Sequence, residues 1–384
     1  MRRVALLALA VLSAGVGLRA GQDPEAPERR PLFRLTTSLA QIDAVVTDRK
    51  GLHVTSLGPA DFEVYQNGKA RPVTTVAYVP AGETWVDTSG LPPLPPEALR
   101  PADARRVMAI VVDDLRMSFA SMHYARRGLL QFVDDEFAPG DLGALVTTSG
   151  GPMRRRHLTF HRTELRADIS QLRFSLWGVR AASVLEPMMD EFGALDSLEM
   201  AREHQFAASA IARLYDVIDN LRTLPGRKSI VLVSEGFTIF GPGLDNASIL
   251  HLMQRLVDRA NRAGVVVYAL DPRGLVNTGL TAADHRGGRG LVAARSAALR
   301  ETQDSLRYVA GETGGFAVVN SNDLAAGMRR ILADQAGYYL IGYEPDPETL
   351  GPKSHRRFWR IKLKAKQKGL TVRTRAGFYG VATR

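Results

Sequence analysis

The chain has 384 residues, no cysteine, 45% hydrophobic and 23% charged residues, and a formal net charge of +10. Without cysteine, disulfides, thiolate metal sites and thiol nucleophiles are all excluded, so a hydrophobic core has to hold the fold. The composition is that of an ordinary globular protein, and the length points to two or three domains.

Arg2 and Arg3 precede an apolar run over residues 4–18, and small residues follow at Ala20 and Gly21. The pattern reads as a signal peptide over residues 1–21 and predicts a secreted or periplasmic protein. The run of 15 residues falls short of the roughly 20 that span a bilayer, so an uncleaved leader, the only route to a membrane, is the second reading. Loss of Arg2, Arg3 and Arg19 with the leader reduces 50 basic residues to 47 against 40 acidic ones, a net +7. Arg154, Arg155, Arg156 and residues 353–368 hold much of that excess. The second stretch alternates with Phe358, Trp359, Ile361 and Leu363 as a half-buried strand does. A solvated strand face is its first reading and an anion-binding surface its second; nucleic acid is not an expected partner of an exported chain.

After a polar, proline-bearing lead-in, an N-terminal β unit is expected within residues 22–88. Residues 42–47 are β-branched and apolar, Phe62 to Tyr65 alternate, and Asn67-Gly68 sits where a tight hairpin turn belongs. Pro72 then opens the expected return strand. Residues 89–101, with Pro92, Pro93, Pro95 and Pro96, form a stiff linker. Over residues 102–335 buried apolar runs at 107–112, 142–148, 229–233 and 265–270 alternate with helical spacing, including helices over 118–137, 297–310 and 323–333. That alternation predicts an α/β, Rossmann-like, mostly parallel sheet flanked by helices, with ligands bound at the carboxyl ends of its strands. Residues 150–194 and 281–290 lack a clear pattern and read as surface decoration. The C-terminal segment, residues 336–384, returns to β. Each β segment is too small to be stable alone, so the two are expected to pack as one β-sandwich-like unit.

The order of motifs resembles the von Willebrand factor type A-related family abundant in Acidobacteria. Val45 to Gly51 is followed by Asp61 to Tyr65, Asn67-Gly68-Lys69, the acidic strand end Val112-Asp113-Asp114, Gly226-Arg227-Lys228, Tyr268 to Gly274, Glu312 to Gly315 and Tyr338 to Tyr343. The resemblance covers about nine-tenths of the mature chain. It implies a type A-like domain whose first loop, Asp-x-Ser-x-Ser, holds Mg²⁺ with a Thr from a second loop and an Asp from a third. A hard cation prefers such oxygen ligands and keeps a position open for a carboxylate of the partner. Here the pattern is degenerate. With Asp114 leading, Ser118 matches the last Ser but Arg116 replaces the first; with Asp113 leading, Leu115 and Met117 replace both. Ser234-Glu235-Gly236 stands for the third loop, and Ser183 is the nearest second-loop substitute.

The candidate ligand-binding residues are therefore Asp113, Asp114, Arg116, Ser118 and Glu235, with Asp114, Ser118 and Glu235 the candidate metal ligands. Two states are weighed: no cofactor, with Arg116 paired to Asp113, Asp114 or Glu235 by charge-assisted hydrogen bonds, or weak Mg²⁺. A blander reading has the acids capping the next helix. Other chemistry finds less support. A receiver-type phosphorylation site lacks its acceptor Asp after residues 142–148 and its Lys after 265–270. His157 and His161 read as exposed strand residues, Gly287, Gly288 and Gly290 follow no buried strand, and Ser234 lacks the elbow glycine two residues before it. The expected function is thus an adhesion-type module for an unknown protein ligand rather than an enzyme. A structural or assembly component of the cell envelope is the alternative, and a hydrolase with its site in residues 150–194 the third. The export reading predicts that fractionation finds a mature form, shortened at its N-terminus, outside the cytoplasm; a cytosolic form still carrying Met1 would refute it.

Overall fold

The computed structural model describes residues 40–81, 104–150, 158–175, 194–224, 226–238, 246–279, 289–350 and 357–379. The leader, the linker at 89–101, Arg154 to His157, Ser183, Gly287 and Gly288 lie outside them. Strand β5 (Arg106–Val112) shows why the central layer forms: Val107 to Val112 are apolar without interruption and all buried, as a strand covered on both faces must be. Strands β6 (Asp141–Thr147), β7 (Lys228–Val233), β8 (Val265–Leu270) and β9 (Ala317–Val318) join it in a parallel sheet of order β6-β5-β7-β8-β9.

Among the described residues six helices cover its two faces. On one side lie α3 (Ala194–Arg222), α4 (Asn246–Ala263) and α5 (Arg289–Glu312), whose Ile211, Leu214, Met253, Leu256 and Leu306 pack against Val107, Ile230 and Val265. On the other lie α1 (Phe119–Asp135), α2 (Arg162–Ser170) and α6 (Leu324–Asp334), whose Met122, Phe132, Leu165, Ile169 and Met328 pack against Ile110, Val231 and Tyr268. The chain is therefore α/β with a five-stranded parallel sheet between helical layers. Helix α2 falls inside the stretch 150–194 that sequence patterning left unassigned, and α5 starts eight residues before the expected 297. His161 is the N-cap residue of α2 and not a strand residue.

The remaining strands form two four-stranded antiparallel sheets, in both of which segments from the two ends of the chain are neighbours. The first has the order β12-β1-β10-β4, with β1 (Ala40–Thr47), β4 (Val73–Pro80), β10 (Gly337–Tyr343) and β12 (Thr371–Thr374). The second has the order β13-β11-β2-β3, with β2 (Phe62–Gln66), β3 (Lys69–Arg71), β11 (Phe358–Ala365) and β13 (Gly377–Tyr379). Ile42, Val46, Phe62, Val64, Tyr339, Ile341, Ile361 and Leu363 share one core between them. Asn67 and Gly68 take positive φ of 49° and 82°, the geometry of a tight hairpin turn, but the return strand β3 is only three residues long. The strand expected from Pro72 forms as β4, but it is not the return strand of this hairpin: Pro72 has no N–H for a ladder, and after it β4 leaves for the other sheet and pairs with β10.

The β layers are joined to the α/β part by buried polar contacts. Asp334 at the end of α6 accepts a hydrogen bond from the Tyr268 hydroxyl at 2.6 Å and pairs with Arg373 of β12. Ala376 N–H donates to the Glu312 carbonyl at 3.1 Å. Among the described residues no helix is long and apolar enough to cross a membrane. Since β10 lies between β1 and β4, truncation after residue 336 should strip both of their shared neighbour and make residues 40–80 rapidly cleavable in limited proteolysis. Protection equal to that of the full chain would contradict this.

Candidate functional site

Four parallel strands end at the same edge of the sheet, and each passes directly into a polar loop. Val112 leads into Asp113-Asp114, Thr147 into Thr148-Ser149, Val233 into Ser234-Glu235-Gly236, and Leu270 into Asp271. Asp113 is wholly buried between them. Its Oδ1 accepts from the Thr148 hydroxyl at 2.9 Å and its Oδ2 from the Ser234 hydroxyl at 2.7 Å, so hydroxyls from both neighbouring strands converge on one carboxylate. Burial pushes the Asp113 carboxyl up from 3.8 to about 6, against the opposing pull of Arg116 and the two hydroxyls. Asp114 turns towards the next loop, where its Oδ1 accepts from the Ser149 N–H at 2.8 Å and its Oδ2 from the Ser149 hydroxyl at 2.5 Å.

Arg116 is buried as well. Its Nε donates to the Gly236 carbonyl at 3.1 Å and lies 3.8 Å from Asp113 Oδ2, while its Nη2 donates to Glu203 Oε1 at 2.9 Å. Its guanidinium carbon sits 5.3 Å from the centre of the Phe237 ring, within cation–π range. Of the pairings expected from sequence, Asp113 is met at the edge of ion-pair range, and the closer carboxylate is Glu203 of α3. Glu203 also accepts from the Thr238 hydroxyl at 2.9 Å. Glu235 Oε1 accepts from the Ser118 N–H at 2.7 Å and so ties the third loop to the first. Gly236 makes this crossing possible: its φ is +85°, and a Cβ there would lie 2.1 Å from the Thr302 carbonyl oxygen.

The helix cap is Ser118, not an acid: its hydroxyl accepts from the Ser121 N–H at 3.2 Å. The capping reading of Asp113 and Asp114 is thereby corrected. The site thus gathers all five sequence candidates, Asp113, Asp114, Arg116, Ser118 and Glu235, and adds Thr148, Ser149, Ser234 and Glu203. Thr148 and Ser149 directly follow a buried apolar run, a position that could have marked them. A second acid–arginine pair closes the neighbouring strand, where Asp271 accepts from Arg273 Nε and Nη2, both at 2.8 Å, and from Gln303 at 3.1 Å.

Compared with models of protein families and with curated proteins, the chain matches none. The donor set does not fit a divalent cation well. The oxygens of Asp113 and Asp114 already accept internal hydrogen bonds, the Arg116 guanidinium lies 3.8 Å from Asp113 Oδ2, and among the described residues no three His, Asp or Glu side chains converge on a metal position. Exposure also sorts the site. Asp113, Asp114, Arg116 and Glu235 are buried and Ser118 is half-buried, whereas Ser149, Phe119 (72% exposed) and Leu275 (68% exposed) face solvent at the same sheet end.

Because the folded-state value of Asp113 is raised, the folded protein holds that proton more tightly than the unfolded chain, and stability is lost as pH climbs from about 4 through about 6. At about 1.4 kcal/mol per pH unit the loss is on the order of 3 kcal/mol, then constant above that window. Asp113→Asn removes the titration and keeps the shape. Denaturant unfolding should show the variant gaining by about that amount on the wild type between roughly pH 4 and pH 7; a pH-independent difference would rule the assignment out.

Proposed function

We propose that this chain is an exported binding module of the von Willebrand factor type A-related kind that engages a protein partner with the carboxyl end of its parallel sheet and without a resident cation. The observation that carries the reading is the Arg116 guanidinium, locked by Glu203, Gly236 and Phe237 beside buried Asp113 where a type A site has metal-ligating hydroxyls. A guanidinium there supplies the positive charge that a cation supplies elsewhere, so the two compete for one place. The buried acids then act as a frame: Asp113 joins three strand ends, Glu235 joins two loops, and the exposed Phe119, Ser149 and Leu275 they position make the contact surface. Exposed apolar side chains at such a rim suit a protein interface.

Bonds between the β layers and the α/β part run through Asn261, Glu312 and Asp334, at or near the carboxyl ends of helices, and the residues of the strand-end site are separate from them, which supports the same view. The alternative role, a structural component of the envelope, predicts contacts through the β layers. Titration calorimetry with Mg²⁺ and Mn²⁺ should give no saturable binding by the wild type, and improved binding by Arg116→Ser, which removes the charge and restores a hydroxyl. Capture of a partner from envelope extract should be equal with Mg²⁺ and with chelator, and lost in Leu275→Asp. Tight Mg²⁺ binding weakened by Arg116→Ser would overturn the metal-free reading; capture indifferent to Leu275→Asp but lost on changing β4 would favour the envelope scaffold.

A further inference from the structure

We infer that the groove between the start of α1 and the residues after α2 is a docking site for an acidic peptide segment bearing a large apolar side chain. The groove encloses about 490 Å³ and is lined by Phe119, Met122, Leu172 and Phe174, with Arg126, Arg173 and His123 at its rim. Its floor is a built apolar surface: Met122 and Leu172 are buried, and Phe119 meets Phe174 edge to face with ring centres 6.0 Å apart. Yet beyond that contact Phe119 keeps 72% of its surface in water, apolar area that a ligand could cover.

The rim decides the occupant. Arg173 and His123 are exposed and Arg126 half-buried, and among the described residues no acid lines the groove and neither arginine has a carboxylate partner. Arg126 makes one long contact, from Nη1 to the Leu172 carbonyl at 3.4 Å. Guanidinium groups around an apolar hollow match a ligand whose carboxylates flank one bulky apolar group. The concavity suits one inserted side chain, as in peptide recognition by an anchor pocket, more than the flat field that a lipid surface requires. The inference rests on the reading of this sheet end as a recognition surface, because Phe119 follows Ser118, whose N–H is held by Glu235.

The test uses the mature full-length chain and three short fluorescein-labelled peptides: one with Phe between pairs of Asp, one with Lys for each Asp, and one with Ala for the Phe. Fluorescence anisotropy should show saturable binding of the first alone, weakened about tenfold or more by Phe119→Ala and by Arg126→Glu combined with Arg173→Glu, with melting temperatures unchanged. Leu275→Asp should leave peptide binding intact while it abolishes partner capture, so the groove and the wider reading fail separately. No saturable binding, equal binding of the Lys peptide, or indifference to the variants would overturn the proposal. So would preferential binding to phosphatidylglycerol vesicles, or peptide binding that arises only on deletion of residues 176–193, which would place the chain's own segment in the groove.

Discussion

The carboxylate of Asp113 sits in the interior with no access to water, and the arrangement of three strand ends follows from the need to satisfy it. An unpartnered buried carboxylate is among the most expensive groups a fold can hold. Here Thr148 approaches from β6, Ser234 from β7 and Arg116 from the loop of its own strand, so both oxygens are met. Each donor has in turn a position that the next element secures. Ser234 also accepts the Gly236 N–H at 3.0 Å, and the turn at Gly236 brings its carbonyl to Arg116. The loops at this edge therefore behave as one hydrogen-bonded layer, resting on the β core beneath.

The same logic repeats along the edge with changed partners. Asp271 closes β8 with Arg273 and Gln303 as Asp113 closes β5 with hydroxyls and Arg116. An acid ending a buried strand and an arginine two or three residues later form a compact pair that neutralises charge at the sheet end. The result is an internally hydrogen-bonded rim at which a few groups, Phe119, Ser149 and Leu275, are exposed. In the proposed role as a binding surface, such a hydrogen-bonded frame would lower the ordering cost of association.

The β layers obey a different constraint. Neither terminal segment contains enough apolar surface for a stable sheet pair, and alternation of β1, β4, β10 and β12 in one sheet solves this by uniting the ends of the chain. Buried Asp334, held by Tyr268 and Arg373, then bonds this unit to the α/β core.

Much of this was legible in the sequence. Uninterrupted apolar runs such as 107–112 and 265–270 specify strands buried on both faces, because no alternating pattern remains to face water, and the helices between them impose a parallel sheet. Acids placed directly after such runs announce a polar strand end, so Asp113, Asp114 and Glu235 could be named. The partners could not be. Glu203 is one of several acids along a long helix, and only the packing of α3 against the sheet brings it to Arg116 instead of solvent. Thr148 and Ser149 stand at a strand end that the sequence marks, but their bonds to Asp113 and Asp114 follow only when β6 is placed beside β5, since hydrogen bonds between strand ends depend on register and not on spacing along the chain. The hairpin at Asn67-Gly68 was local and therefore visible, whereas the departure of β4 to the other sheet depended on β10, more than 250 residues away. Local conformational preference and hydrophobic period reside in neighbouring residues; the pairing of distant polar groups is settled only when the whole core closes around them.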